Sequence, residues 1–261
     1  MPHGGAEVTA IIPAAGKGTR FLPVTRVIPK EMLPIGAKPA IHCIVEEAME
    51  AGVDDVVLII SKEKEIIRNY FDGDAALRSK IRFAYQLEQK GLGHAVMQAS
   101  EFVSPGPVLI LLGDALVTGP NPSSEMMRLS KANGDACVIG MERVPLERVS
   151  RYGIAALKDG AVAPAAGGAV EIADLIEKPS IEDAPSDLAV AGRYLLDGDI
   201  FRLLATQAPG HGGEIQLTDA IRRLLPSKRT LGYVYSGKRQ DIGNPQGYLN
   251  ALEAFNGNRK G

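Results

Sequence analysis

The sequence of 261 residues has only two cysteines, Cys43 and Cys137, far apart and without C-x-x-C spacing. That excludes a zinc knuckle and a disulfide framework, and both read as reduced core thiols. An excess of one charge is lacking too. The formal net charge is -2 and the isoelectric point near 6.1, whereas general nucleic-acid binding needs a basic face over much of a domain. No apolar run approaches the roughly 20 residues that span a bilayer. The start, Met1-Pro-His-Gly-Gly, has no charged segment leading into an apolar one. No nucleic-acid or membrane partner is expected, and the expected location is the cytoplasm. Internal repeats and low-complexity blocks are absent as well. What remains, 45% hydrophobic, is ordinary globular material, enough for one large domain or a domain with a small appendage.

Strand and helix patterns alternate through the first half. Val8 to Pro13 predicts a strand, and Ile41, Ile44, Val45, Ala48 and Met49 lie at helical spacing between Pro39 and Gly52. Val56 to Ile60 predicts a strand buried on both faces, Lys64 to Phe71 a helix, and Arg82 to Gln86 a further strand. After Gly91-Leu-Gly93 a helix is expected to about Phe102, then the strand Val108 to Leu112. This order predicts an α/β sheet flanked by helices, mixed and mainly parallel, with ligands at the carboxyl ends of the strands. The Ala14–Thr19 loop, Gln86 and Asp114 fall at those ends. Strand-like pieces around Ile154, Leu175 and Val190 suggest a small antiparallel addition covering the site. Gly210 to Gly213 reads as a flexible loop into a helix, and a last helix runs from about Asn244 to Phe255.

The stretch Ile11 to Pro39 holds Lys17, Arg20, Arg26, Lys30 and Lys38 against the single acid Glu31. An apolar strand that breaks into Pro-Ala-Ala-Gly lets a ligand approach the backbone closely, and these cations suit a polyphosphate. Gly16-Lys17-Gly18-Thr19-Arg20 lacks the Walker spacing and the third glycine of a dinucleotide fingerprint, which disfavours a generic kinase and an NAD-dependent dehydrogenase. Asp114 ends an apolar strand, where a carboxylate needs a compensating positive group such as a metal ion.

The whole stretch "PAAGKGTRFLPVTRVIPKEMLPIGAKP" resembles the opening signature of the sugar-nucleotide pyrophosphorylases. Its Pro29-Lys30-Glu31-Met32-Leu33-Pro34 form looks most like the bacterial UTP:glucose-1-phosphate uridylyltransferases. Lys90–Val96, Tyr152-Gly153, Glu177–Pro179, Leu188–Leu196 and Gly212–Ile221 carry the resemblance onward, over roughly residues 8 to 255. It implies an enzyme of Rossmann-like nucleotide-diphospho-sugar transferase fold that uses Mg2+ and converts UTP and glucose 1-phosphate to UDP-glucose and pyrophosphate. It also implies one domain over residues 1–261. About 8–150 would form the nucleotide-binding core, about 151–243 the sugar-binding part, and 244–261 a C-terminal helix.

The same resemblance assigns roles. Ala14, Ala15 and Gly16 lie under the nucleotide, and Gly18, Thr19 and Arg20 close around the triphosphate. Lys30 is the expected phosphate cation. Glu31, Gln86, Gly91 and Gly93 should meet uracil and ribose, the Gln86 amide offering both a donor and an acceptor. Asp114 and Asp241 are the expected metal ligands. Glu177 would meet glucose hydroxyls, Lys178 the sugar phosphate, Gly153 would make a close backbone contact, and Glu214 would bind substrate or build a helix beneath it. Arg20, Lys30, Asp114 and Lys178 form the expected catalytic set, and His94 is read as structural.

A thymidylyltransferase or relaxed pyrimidine transferase, and a non-catalytic nucleotide-sugar sensor, are the competing readings. Four departures from the family pattern stand out: the additional cation Lys17, the short stretch between Asp72 and Arg82, the short end after Phe255, and Gly113 where proline is usual before Asp114. The short stretch and the short end after Phe255 touch regions that contribute subunit contacts in the family. A homo-oligomer, dimer or tetramer, is expected.

Overall fold

The computed structural model describes residues 7–257, so the Met1–Gly5 start and the chain from residue 258 lie outside it. Its strands are β1 Thr9–Pro13, β2 Pro34–Ile35, β3 Lys38–Pro39, β4 Asp55–Ile60, β5 Ile81–Tyr85, β6 Val108–Leu111, β7 Ala115–Thr118, β8 Cys137–Arg143, β9 Gly153–Leu157, β10 Ala169–Glu177, β11 Leu188–Leu196, β12 Thr230–Val234 and β13 Lys238–Asp241. Its helices are α1 Ala40–Glu50, α2 Glu65–Asp72, α3 Ala75–Arg78, α4 Leu92–Met97, α5 Pro122–Ala132, α6 Asp199–Ala205, α7 Leu217–Leu224 and α8 Pro245–Gly257.

Nine strands form one sheet in the order β5-β4-β1-β6-β11-β8-β12-β10-β9. The first four are parallel, with Ile12 beside Leu58 and Ile11 beside Ile110. Beyond β6 the pairing turns antiparallel at β11, where Tyr194 lies beside Ile110, and only β8 and β12 run parallel in the second half. The pieces around Ile154, Leu175 and Val190 therefore extend the same sheet as β9, β10 and β11.

Alternation along the strands divides the core into two layers. Ile12 and Leu58 face α1, α2, α5 and α8 through Ile41, Ile44, Phe71, Met126 and Ala251. Ile11, Val57 and Ile110 face α4, α6 and α7 through Val96, Ile200 and Ile221. Central strands buried on both faces explain the continuous apolar runs of β1, β4 and β6. Cys137 is buried and Cys43 half-buried, and neither is in a disulfide.

The helix after Gly93 ends at Met97, short of Phe102, and the chain continues through a single 3-10 turn at Ser100–Phe102. The short stretch after Asp72 still makes the turn of helix α3, capped by Asp74, whose carboxylate accepts from Ala76 N and Leu77 N. An additional ribbon pairs β7 with β13 antiparallel and sets Asp241 opposite Ala115. No helix among the described residues is long and apolar enough to cross a membrane.

Candidate active site

The loop that follows β1 is held by groups from two neighbouring segments. Ala14 N donates to Ile59 O at 2.7 Å, continuing the β1–β4 ladder for one residue. Lys64 Nζ donates to Ala14 O at 2.6 Å and Gln89 Nε2 to Ala15 O at 3.1 Å. Ala14 and Ala15 are buried, while Gly16, Lys17, Thr19 and Arg20 are exposed. Lys17, the added cation, thus faces outward with the loop. Gly18 has φ of +65°, in the left-handed region where a side chain is strained, and its carbonyl accepts from Thr25 Oγ1 at 2.9 Å.

Four side chains meet where β1 and β6 end. Lys30, almost fully buried, pairs with Asp114 Oδ2. A side chain on Gly243 would lie 2.8 Å from Asp241 Oδ1, 3.2 Å from Asp114 Oδ2 and 3.3 Å from Arg20 Nη2, so those three groups surround one point. The β7–β13 ribbon produces this meeting: its strands begin and end at Ala115 and Asp241, and Ile242 N donates to Asp114 O at 2.9 Å. Burial alone would raise the Asp114 carboxyl, but Lys30, then Arg20 and Arg239, outweigh it and hold its pKa below the ordinary aspartate value. Burial pulls Lys30 down, yet Asp114 and Glu31 prevail and keep it a firm cation. Gly113 donates its N–H to Pro13 O at 3.2 Å, a bond that a proline could not make.

Two carboxylates supply hard oxygen ligands, which suits magnesium, an ion that keeps several waters and takes its other ligands from substrate phosphates. Among the described residues no cluster of three or more histidine, cysteine, aspartate or glutamate side chains could hold a metal.

Beyond β5 lies a second group. Glu31 is buried and accepts from Lys64 Nζ at 2.8 Å. Burial pushes the Glu31 carboxyl pKa up, against the pull of Lys64 and Lys30. Gln86 is buried too, and its Nε2 contacts both Gly91 O at 3.2 Å and His94 Nδ1 at 3.1 Å. Gly91 has φ of +100°, and Gly93 N donates to Ile215 O at 2.8 Å. A side chain on either glycine would come within 2.8 Å of that backbone oxygen. Glycine at both positions is thus explained by close packing against the 214–216 segment.

The third group comes from β9, β10 and α7. Gly153 packs against Glu177, whose Oε2 accepts from Thr218 Oγ1 at 2.8 Å. Lys178 N donates to Tyr152 O at 2.9 Å, and Lys178 itself has φ of +48°. A strained non-glycine backbone costs about 1–3 kcal/mol and persists where surrounding structure imposes it. The Lys178 ammonium lies 3.4 Å from Glu177 Oε1 and is otherwise exposed. A cavity of about 1250 Å3 opens beside this group, lined by Tyr152, Arg239, Asp241 and Asn244 among others. Glu214 is exposed beside Gly91, and its carboxylate accepts from Gln216 Nε2 at 3.0 Å.

Lys64, Gln89 and Thr218 enter the site without having been singled out from the sequence. Lys64 stands in the charged run Ser61-Lys-Glu-Lys-Glu65, which looks like a solvated helix start. Its position four residues past the buried β4 strand was the available signal. Thr218 belongs to the "GGEIQLTDAI" motif, whose segment Glu214–Ile215 supports the Gly91 loop while Thr218 supports Glu177.

The nucleotidyl transferase family pattern matches residues 9–257. A UTP–glucose-1-phosphate uridylyltransferase of Staphylococcus saprophyticus is 41% identical, with 92% of this chain and 89% of that protein covered. The UTP–glucose-1-phosphate uridylyltransferase of Bacillus subtilis is 39% identical over 94% of this chain and 90% of that one. A crystal structure of a UDP-glucose pyrophosphorylase complexed with UDP-glucose superposes with a TM-score of 0.86 at 38% identity, covering 97% of this chain and all of that one. A UTP-bound UGPase of Acinetobacter baumannii gives 0.83 at 34%, with 95% and 93% covered. The chain belongs to the nucleotidyl transferase family and, within it, to the UTP–glucose-1-phosphate uridylyltransferases.

Proposed function

We propose that this chain transfers the uridylyl group of UTP to glucose 1-phosphate, giving UDP-glucose and pyrophosphate. The observation that carries the reading is the meeting of Arg20, Lys30, Asp114 and Asp241 at the ends of β1 and β6, beside a loop of small residues. A phosphate oxygen of the sugar phosphate is already anionic and needs no general base. It attacks the α-phosphorus of UTP in line; the new P–O bond forms as the bond to the β-phosphate oxygen breaks, and pyrophosphate leaves with the electron pair. Charge gathers on the α-phosphate and the leaving pyrophosphate, so fixed cations lower the barrier. Arg20 and Lys30 supply them there, and Lys178 holds the phosphate of glucose 1-phosphate.

Asp114 and Asp241 would hold Mg2+, which when bound neutralises phosphate charge. Lys30 remains a cation in the buried site, and its ion pair, against the effect of burial, keeps Asp114 ionised. Lys64 and Gln89 fix the Ala14–Ala15 backbone on which the nucleotide would lie. Gly153 lets Glu177 and Thr218 pack close to its backbone, and Thr218 sets the orientation of Glu177. Catalysis of this kind rests on positioning and electrostatics.

The test is pyrophosphate release from glucose 1-phosphate and Mg2+ with UTP, dTTP, CTP, ATP and GTP in parallel. A strong preference for UTP is expected. Equal use of dTTP would move the assignment to a thymidylyl or relaxed pyrimidine transferase. Tight UDP-glucose binding with no release from any nucleotide would make the protein a sensor.

A further inference from the structure

Gln86 continues the β4–β5 ladder, its N–H donating to Ile60 O at 2.9 Å, and its side chain turns back toward the Gly91 loop. An amide nitrogen carries two hydrogens. One points to Gly91 O at 3.2 Å, a carbonyl that can only accept, so the nitrogen end of the amide is fixed on that side. The other meets His94 Nδ1 at 3.1 Å, nearer than Gln98 Nε2 stands to His94 Nε2 at 3.5 Å, so Nδ1 is assigned as the accepting, unprotonated nitrogen of the ring. Reversing the amide would set its oxygen against the Gly91 carbonyl. The Gly91 loop cannot relax away, because it is pinned to Ile215 O through Gly93 N at 2.8 Å. Gln86 Oε1 accepts no hydrogen bond from any described residue and is not sealed from solvent.

We propose that His94, as its neutral Nε2–H form, is a positioning residue that locks the Gln86 amide so that only its oxygen faces the base. This inference rests on the reading that the cleft takes a uridine nucleotide, and it sharpens the expectation for Gln86. The nitrogen that would have met a base carbonyl is committed within the protein. The remaining acceptor selects a pyrimidine that carries a hydrogen on N3, as uracil and thymine do, and opposes cytosine, whose N3 is itself an acceptor. Burial lowers the His94 pKa, Lys90 adds to this and Glu88 opposes it, in keeping with a neutral ring.

The experiment uses the full-length protein and two variants. His94→Ala removes the acceptor. His94→Asn replaces it with Oδ1 near the place of Nδ1. Binding of UDP and CDP is measured by calorimetry, and kcat and KM for UTP are measured at saturating glucose 1-phosphate. His94→Ala is expected to raise the KM for UTP about tenfold with little change in kcat, and to shrink the UDP-over-CDP preference by a similar factor. The KM for glucose 1-phosphate stays put, and His94→Asn restores most of the preference. An unchanged UDP-to-CDP ratio in His94→Ala, or an equal defect in His94→Asn, overturns the lock.

A readout on the unaltered protein guards against an unstable variant: 15N NMR of labelled histidine at neutral pH should give the Nε2–H form at His94. An Nδ1–H or doubly protonated ring overturns the proposal. Absent turnover with intact UDP selectivity would sink the transferase reading and leave the lock standing. Equal binding of CDP by the unaltered protein would sink the lock alone.

Discussion

Arg193 on β11 is fully buried and reaches Glu47 of α1 with two hydrogen bonds, Nε to Oε1 at 2.8 Å and Nη2 to Oε2 at 2.7 Å. Its Nη2 also donates to Ala115 O at 2.6 Å, one residue past Asp114. Arg193→Met removes the cation and leaves a carboxylate that is only 11% exposed. Breaking a buried pair from one side costs about 3–5 kcal/mol. Ser123 Oγ still donates to Glu47 Oε1 at 2.6 Å, which draws the expected loss toward about 3 kcal/mol. Glu47→Leu strands the guanidinium instead and should cost at least as much. The double variant Arg193→Met/Glu47→Leu buries no charge, and its loss should be about 1–2 kcal/mol, from the bonds to Ala115 O, Gly192 O and Ser123. Urea unfolding at neutral pH would give the three values and their coupling. If the double variant loses the sum of the two singles, the pair is not coupled and the reasoning fails.

Three further outcomes follow from the site and its supports. Lys178→Ala should raise the KM for glucose 1-phosphate about tenfold or more, the worth of a charge-assisted bond, while the KM for UTP moves little; unchanged sugar kinetics would remove Lys178 from the site. A side chain on Gly16 would meet no protein atom within 4 Å, so Gly16→Ala should leave the melting temperature alone and weaken UTP binding. A lower melting temperature with normal UTP kinetics would make Gly16 a purely structural residue. At Asp174, burial would raise the carboxyl, but Arg222 and Leu175 N–H outweigh it and hold its pKa low. Stability from a depressed carboxyl is present above about pH 4 and is lost as the pH falls through the folded value. With both side chains more than a third exposed, the contribution is under about 1 kcal/mol. Arg222→Ala should therefore differ from the parent at about pH 6 and converge with it near pH 3; a constant difference would contradict the assignment.

The central strands were legible because a parallel strand buried on both faces must be apolar throughout, and β1, β4 and β6 are. Their ends marked the place of Asp114 and Gln86. Lys30 and Asp114 were legible from the motif, and the structure brings them into an ion pair across 84 residues of chain. Lys64 was not legible, since only its packing against Glu31 and Ala14 distinguishes a buried lysine from its solvated neighbours Lys62 and Glu63. The β7–β13 ribbon was missed because its strands are only four residues each, and Lys238–Asp241 carries little apolar signal. Glu214 read as a substrate contact or as part of a helix built beneath the site; its segment packs on the Gly91 loop, and Thr218 is the motif residue that reaches Glu177. The direction of the Gln86 amide depends on what Gly91 and His94 offer it, and no local pattern encodes that.

The measurement that tests the central claim most directly is mass balance. Purified protein is incubated with UTP, glucose 1-phosphate and Mg2+, and UDP-glucose and pyrophosphate are quantified together by mass spectrometry and a coupled assay. Equimolar appearance of the two is predicted, with none when glucose 1-phosphate is omitted. Pyrophosphate accompanied by UMP instead of UDP-glucose, or no product beside tight UDP-glucose binding, would contradict it.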